Sequence, residues 1–192
     1  MILWIMYCLI HSLFAENKVK NYIQTFMKKR FKYYRPLYSI FAFITLALIL
    51  WFHFSIKSPR LFGKTIFAYL PGIIAGFTGL SIMLICINKY FYEMSGLQAI
   101  QSSQAKNTLQ QTGIHKCVRH PLYLGTLLFI WGLFLVFPLM NNIIAAATIT
   151  TYVLIGIKLE EKKLKLQFGE SYIEYAKKIP KLIPGIKTQK RL

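Results

Sequence analysis

Residues 112–125 read TGIHKCVRHPLYLG and join a polar segment to a long apolar run. Pro121 marks the boundary, because proline lacks the N–H that would be unpaired in the first turn of a helix. We therefore predict a helix that begins here, with Arg119 and His120 at its N-terminal mouth. Unpaired N–H groups give such a mouth a partial positive charge, which favours an anionic ligand group. Four side chains thus surround the helix start: the cation of Arg119, the imidazoles of His115 and His120, and the phenol of Tyr123. Together they indicate a binding site.

The composition combines strong basicity with high apolar content. The 192 residues are 55% hydrophobic and carry a net charge of +18. A basic soluble protein suggests nucleic acid, but here the Lys and Arg residues lie between long uncharged apolar runs. That pattern is typical of a membrane protein whose loops meet anionic headgroups. We predict an integral membrane protein with membrane lipids as partners, without nucleic acid or an obligate protein partner. The spacing of the three cysteines predicts no metal site.

Five apolar segments predict an all-α integral membrane protein with about five transmembrane helices. The segments are Ile2–Ala15, Leu37–Phe54, Ile66–Ile87, Leu122–Phe137 and Ile143–Ile157. In the charged tail, Lys158–Leu192, apolar residues recur at helical spacing, which predicts a C-terminal cytoplasmic amphipathic helix. The whole chain, 1–192, is expected to form one membrane domain: residues 1–100 hold the N-terminal spans and a basic connector, and residues 101–192 hold a helical hairpin and the tail.

The distribution of Lys and Arg predicts the orientation. With five spans, the connector, the central polar stretch and the tail lie on one side with 21 Lys or Arg, whereas the loop 55–65 on the other side has 3. The positive-inside rule then places the N-terminus outside and the tail in the cytoplasm. We expect a bacterial inner membrane protein whose central motif and tail face the cytoplasm together.

Several polar residues inside or beside these segments leave two interpretations open. Glu160 and Glu161 lie at the inner end of the last span, where carboxylates are costly unless they are paired or functional. Alternatively, they begin a solvated helix balanced by the lysines that follow. His11 and Ser12, near the end of the first span, indicate either interhelical hydrogen bonds or a site role. Small residues in the third span, Gly72, Gly76 and Gly79, favour close approach of a neighbouring helix.

Two blocks of residues together form a family pattern. Their members are Gly113, Arg119, His120, Pro121, Tyr123 and Gly125, then Glu160, Glu161, Phe168, Gly169, Tyr172, Tyr175, Pro180 and Pro184. In order and spacing this pattern resembles the membrane methyltransferase superfamily of isoprenylcysteine carboxyl methyltransferases and phospholipid methyltransferases. The resemblance covers residues 107–184, and His11-Ser12-x-x-Ala looks like a further motif of bacterial relatives.

The resemblance implies an S-adenosylmethionine-dependent methyltransferase that acts on a lipophilic or small membrane-permeant acceptor at the cytoplasmic face. It implies a role in the chemistry for Arg119 and acceptor binding for His11. By position, the cofactor contacts fall on Asn107, Thr108, Leu109, Gln110, His115, His120, Pro121, Leu122, Tyr123 and Glu160.

Two departures from the family pattern leave the acceptor open. His115 stands where the family usually has Tyr, and Gly156 stands where the carboxyl methyltransferases have an Arg that holds the substrate carboxylate. Candidate acceptors are a small thiol, an isoprenoid thioether-type acid, a phospholipid amine and a quinone-like lipid. The alternatives to a methyltransferase are a membrane scaffold that keeps the fold without the chemistry, and a reductase with a nicotinamide cofactor, although such reductases are longer.

Overall fold

The computed structural model describes residues 1–63, 65–95 and 109–185, and these residues are helical throughout apart from turns and one isolated bridge between Arg60 and Leu139. The α-helices are α1 (Ile2–Ala15), α2 (Asn17–Met27), α3 (Tyr34–Ser55), α4 (Ile66–Ser95), α5 (Pro121–Val136), α6 (Met140–Phe168) and α7 (Glu170–Lys178). Two short 3-10 helices span Lys28–Tyr33 and Gly113–Lys116. The predicted all-α class is therefore correct.

Among the residues that the structure describes, three helices are long and apolar enough to cross a membrane. They lie in Lys18–Ser55, Ile66–Lys89 and Met140–Phe168. The helices α1 and α5 are equally apolar but have only 14 and 16 residues. Many large apolar side chains are exposed on these helices, as expected for surfaces that face lipid. The chain is thus a membrane protein by its apolar helices, and the count of five spans stays a prediction.

The helices α4 and α5 cross at almost backbone contact. A Cβ added to Gly79 would lie 2.5 Å from the backbone N of Phe129 and 2.6 Å from the carbonyl oxygen of Gly125. One to two turns further along, a Cβ on Gly132 would lie 2.4 Å from the N of Gly76. The absence of side chains at these points lets the backbones approach, as the small residues of the third span predicted. This packing holds the first turns of α5 against the middle of α4.

Polar contacts define which helix ends share one side of the bundle. Trp4 Nε1 donates to His53 Nδ1 at 3.3 Å, so His53 carries its proton on Nε2 and donates to Asn142 Oδ1 at 2.8 Å. The start of α1, the end of α3 and the start of α6 therefore lie together. At the opposite side, Tyr34 Oη donates to the carbonyl of Phe14 at 2.8 Å. On that side Lys163 of α6 lies 3.7 Å from Glu16, which follows α1, and Glu160 lies 3.7 Å from His120, which precedes α5. The ends of α1 and α6 and the starts of α3 and α5 therefore lie on the same side.

The last long helix, α6, continues well beyond its apolar run. Residues 158–168 extend it by three turns although they are mostly charged. The helix ends at Gly169, whose φ of +53° is accessible to glycine at little cost, and the chain then enters α7. The tyrosines of α7, Tyr172 and Tyr175, are buried. The tail thereby folds back against the start of α5.

Candidate active site

A cavity of about 350 Å³ lies where the start of α5, the end of α6 and the tail meet. Eight of the ten residues predicted to contact the cofactor line it, namely Leu109, Gln110, His115, His120, Pro121, Leu122, Tyr123 and Glu160. The other two, Asn107 and Thr108, lie outside the described residues. The tertiary structure thus brings the two motif blocks to one cavity.

Besides Arg119, five residues line the cavity that were not among those ten predictions, although three of them belong to the family pattern. They are Cys86, Leu164, Phe168, Tyr172 and Tyr175. Leu164 and Phe168 follow Glu160 at steps of four residues, so they lie on the same face of α6. This spacing was a usable signal in the sequence. Cys86 reaches the cavity from α4, and only the packing of α4 on α5 places it there.

Arg119 holds the tail onto α6. Its Nε donates to Glu161 Oε1 at 3.0 Å and its Nη2 donates to the same oxygen at 2.5 Å, while Nη1 donates to the carbonyl of Ala176 at 2.9 Å. Nη1 also donates to the carbonyl of Ile179. The guanidinium is buried and lines the cavity wall. These four bonds occupy most of its donors, and its predicted role in the chemistry stays a prediction.

The tail makes two backbone hydrogen bonds beside the start of α5 that the sequence did not indicate. The backbone N–H of Arg119 donates to the carbonyl of Pro180 at 2.8 Å, and that of His120 donates to the carbonyl of Lys181 at 3.1 Å. The tail therefore takes the two N–H groups that directly precede the helix. The N–H groups of the first helical turn, at Leu122 and Tyr123, have no partner inside the helix and still point out of the mouth.

The two adjacent glutamates have different surroundings. Glu161 is buried between Arg119 and Lys181, whose Nζ lies 2.8 Å from Glu161 Oε2. Glu160 is half-exposed, lines the cavity and lies 3.7 Å from His120 Nδ1. A buried carboxylate needs such partners, because its transfer out of water costs about several kcal/mol of desolvation free energy. Glu161 is therefore a paired group within the wall, and Glu160 faces the cavity.

Two buried polar atoms at the cavity make no hydrogen bond to any described residue. One is His120 Nε2, which lies 3.5 Å from Glu161 Oε1, and the other is Tyr172 Oη. Burial raises the pKa of the Tyr172 hydroxyl, and the charge of Glu161 raises it further. Tyr172 is thus a neutral hydroxyl that can donate or accept. Unsatisfied buried groups are uncommon in native structures. Both atoms lie beside the pair of Arg119 and Glu161, and both residues line the cavity.

His115 lines the cavity in the position where the family usually has Tyr. Its Nδ1 donates to the carbonyl of Arg119 at 3.1 Å, and Tyr175 Oη donates to the carbonyl of His115 at 2.7 Å. Burial lowers the pKa of the imidazole, and the bond to Arg119 opposes this shift. Lys89 and His120 lower it further, whereas Glu160 raises it. Burial therefore favours the neutral imidazole, and the backbone carbonyl of His115 is tied to the tail through Tyr175.

His11 does not line this cavity. Its Nδ1 lies 2.9 Å from Tyr38 Oη, and its ring stacks on Tyr7 with centroids 5.8 Å apart. Ser12, beside it, donates to Tyr152 Oη at 3.1 Å. The predicted interhelical hydrogen bonds of His11 and Ser12 are therefore present. The predicted acceptor-binding role of His11 stays a prediction, and it would belong to a separate place in the bundle.

Comparison with known proteins identifies similar chains. A profile of the phospholipid methyltransferase family matches residues 72–171. The chain is 28% identical over 198 residues to methanethiol S-methyltransferase 1 of Bradyrhizobium diazoefficiens, covering 96% of this chain and 65% of the relative. It is 28% identical over 192 residues to methanethiol S-methyltransferase of Crocosphaera subtropica, covering 94% and 71%. A shorter match, 33% identical over 87 residues and covering 44% of this chain and 30% of the relative, is to protein-S-isoprenylcysteine O-methyltransferase of Xenopus laevis. No solved structure matches the chain.

Proposed function

Because the chain belongs to the phospholipid methyltransferase family, we propose that it transfers a methyl group from S-adenosylmethionine to a small, lipophilic thiol at the cytoplasmic face of the membrane. Two relatives that match over more than nine tenths of this chain are named methanethiol S-methyltransferases, and this supports a thiol acceptor. The chain spans 65% of the length of the first of them. A phospholipid amine and an isoprenoid acid are the competing acceptors.

The cavity suits the cofactor in chemistry as well as in position. S-adenosylmethionine combines a carboxylate, an ammonium group and an aromatic base. The side chains present are an imidazole at His120, a carboxylate at Glu160, and the rings of Tyr123 and Phe168. An imidazole and helix-end N–H groups suit a carboxylate, a carboxylate suits an ammonium group, and aromatic walls suit a base. The single observation that carries the proposal is this convergence at one cavity of residues far apart in the sequence.

The roles of the chain's own residues follow from their places. His120 and the first-turn N–H groups hold the carboxylate end, Glu160 holds the ammonium or ribose end, and the apolar wall of Leu109 and Phe168 receives the base. When bound, the cofactor supplies an electrophilic methyl group, so the protein mainly has to align the acceptor with it. Such alignment is worth up to about 7–11 kcal/mol of the barrier.

We propose that Arg119 contributes as a positioning residue. Its bonds to Glu161 and to the carbonyls of Ala176 and Ile179 hold the tail against the mouth of α5. The tail in turn forms one wall of the cavity through Tyr172 and Tyr175. Loss of the guanidinium would therefore open the site and admit water. In this scheme the tail lies in the cytoplasm and the N-terminus outside, as the Lys and Arg distribution predicts.

Binding of S-adenosylmethionine to the purified full chain, measured by isothermal titration calorimetry, tests the site. Glu160→Gln should weaken binding by about tenfold or more, since it removes one charge-assisted hydrogen bond of about 1.5–3 kcal/mol. Glu170→Gln is the matched control, because Glu170 lies on α7 outside the cavity lining, and it should bind as the wild type does. Equal affinity of both variants would exclude Glu160 from the site.

Methyl transfer itself is tested with methyl-labelled S-adenosylmethionine and membranes that contain the chain. Incubation with ethanethiol should yield labelled ethyl methyl sulfide, identified by mass. Label in phospholipid or in a prenylated acid instead would replace the thiol with one of the competing acceptors. Binding without transfer to any extractable molecule would support the scaffold alternative.

A further inference from the structure

The segment between α1 and α3 is strongly basic and is tied to an apolar helix at each end. Over residues 16–36 the sequence has one acidic residue, Glu16. It has seven basic residues there, namely Lys18, Lys20, Lys28, Lys29, Arg30, Lys32 and Arg35. Because the flanking helices α1 and α3 are apolar, this segment lies at the depth where the bilayer meets water.

The helix α2 within this segment is amphipathic. Val19, Ile23 and Phe26 recur at steps of three and four residues, so they share one side of the helix, and Tyr22 lies beside them. Val19 and Ile23 are half-buried, whereas Tyr22 and Phe26 are 66% and 70% exposed. Their rings lie 5.0 Å apart and form an exposed aromatic pair. A basic helix with exposed aromatic side chains is typical of helices that lie in the plane of the membrane surface.

Basic residues from three helices converge at the start of α2. Lys20 lies one turn after Glu16, and its backbone N–H donates to the Glu16 carbonyl at 3.0 Å. Lys163, near the end of α6, places its Nζ 3.7 Å from Glu16 Oε2. Lys20 is half-buried, and it is repelled by the charges of Arg35, in the first turn of α3, and of Lys163. Among the described residues, one carboxylate thus meets three cations, so a further negative charge would be stabilised here.

The place of this cation cluster favours a lipid over a soluble anion. The guanidinium and the ammonium groups suit phosphate oxygens. Leu13, at the end of α1, and Leu37, at the start of α3, are both exposed on the apolar surface next to the cluster. A phospholipid therefore reaches the cations with its phosphate and the apolar surface with its acyl chains.

We propose that α2 lies in the headgroup layer and that Lys20, Arg35 and Lys163 bind the phosphate of an anionic phospholipid. The positive charge of the whole segment attracts an anionic membrane surface, and the cluster gives one lipid a defined place on it. This site is separate from the cofactor cavity, whose lining includes none of the three cations.

Thermal unfolding of the purified full chain in a neutral detergent tests the cluster as lipid is added. Phosphatidylglycerol should raise the Tm, and zwitterionic phosphatidylcholine should raise it much less. In the double variant Lys20→Gln and Arg35→Gln, the lipid concentration that gives half of the shift should rise about tenfold or more.

The double variant Lys57→Gln and Arg60→Gln is the matched control. It removes the same charge from exposed residues between α3 and α4, on the opposite side of the bundle, and it should respond as the wild type does. Equal responses of the two double variants would mean diffuse attraction only and would overturn the site. The absence of a Tm shift with phosphatidylglycerol would overturn it as well.

Glycerol phosphate, which carries a phosphate without acyl chains, separates a lipid from a soluble ligand. It should leave the Tm unchanged at concentrations where phosphatidylglycerol saturates the chain. An equal shift with glycerol phosphate would assign the cluster to a soluble phosphate compound and would refute the lipid.

Fluorescence quenching tests the depth of α2. In vesicles of phosphatidylcholine brominated on its acyl chains, the tryptophan added by Phe26→Trp should be quenched relative to vesicles without bromine. Leu166→Trp is the control, because Leu166 is 80% exposed and lies in the charged extension of α6; its added fluorescence should persist. An unquenched tryptophan at position 26 would place α2 in water and contradict the proposal.

Discussion

Replacement of Gly79 by alanine tests whether backbone contact between α4 and α5 builds the site. The new Cβ would lie 2.5 Å from the N of Phe129 and 2.6 Å from the carbonyl oxygen of Gly125, whereas ordinary contact begins at 3.4 Å. The obstacle is backbone, so a rotamer change cannot relieve it and the helices must separate by about 0.9 Å. Gly76→Ala is the matched control, because a Cβ at Gly76 meets no described atom within 4 Å.

Comparison of these two variants isolates the packing cost. Both gain the same helix propensity of about 1 kcal/mol on replacement of glycine by alanine. The difference between them is then the overpacking cost, about 3 kcal/mol at the upper end of the usual range, because backbone is the obstacle. For a chain of this size that corresponds to a Tm of Gly79→Ala roughly 6–12 °C below that of Gly76→Ala.

The assay is thermal unfolding of the purified variants in detergent, followed by tryptophan fluorescence or differential scanning calorimetry. Cofactor affinity should fall in parallel, because Gly125 lies one turn from the start of α5 and thus from His120. If Gly79→Ala and Gly76→Ala unfold at the same temperature, the close crossing of α4 and α5 is wrong. The cavity built on that crossing would then be wrong as well.

Two further perturbations probe the wall of the site. Arg119→Lys should lower the Tm clearly more than Lys163→Ala, because one ammonium group cannot replace the bonds to Glu161 and to two tail carbonyls, each worth about 1.5–3 kcal/mol. The exposed pair of Lys163 with Glu16, at 3.7 Å, is worth only about 0–1 kcal/mol. Equal shifts of the Tm in the two variants would refute this prediction. Burial lowers the pKa of His115, so the folded chain resists its protonation and stability falls as the pH drops below the unfolded value of about 6.5. His115→Asn keeps a donor for the Arg119 carbonyl without titrating, so its Tm should fall less than that of the wild type between pH 7.5 and pH 5.5, and parallel losses would contradict the assignment.

Local chemistry made much of the fold predictable. Each apolar run coincides with a helix of the structure, since residues such as those of Leu37–Phe54 have no other way to satisfy their backbone groups in lipid. Pro121 begins α5 as predicted. The proline ring removes the N–H and fixes φ at a helical value, so its preference for the first helical position is a local property. The apolar run Ile143–Ile157 did not predict that α6 ends at Phe168. Hydropathy marks only the apolar part of a helix, whereas α6 continues through charged residues.

The convergence of the predicted cofactor contacts on one cavity followed from the family pattern, which records which positions converge without stating how. Leu109, Gln110 and Glu160 reach one cavity, as the pattern implied. The alternatives left open for the two glutamates needed coordinates. Glu161 is paired with Arg119 and Lys181 rather than with the lysines that follow it, and no spacing rule connects residues 42 or 20 positions apart.

By itself, the sequence determined the helical class, the start of α5 and the residue types that a methyl donor requires, because apolar length, proline geometry and side-chain chemistry are local properties. Only the tertiary structure decided that the carbonyls of Pro180 and Lys181 bind the two N–H groups before α5 and that His11 faces a cavity of its own. Both depend on which helices pack together, and that packing is a sum of many weak contacts between residues distant in the chain.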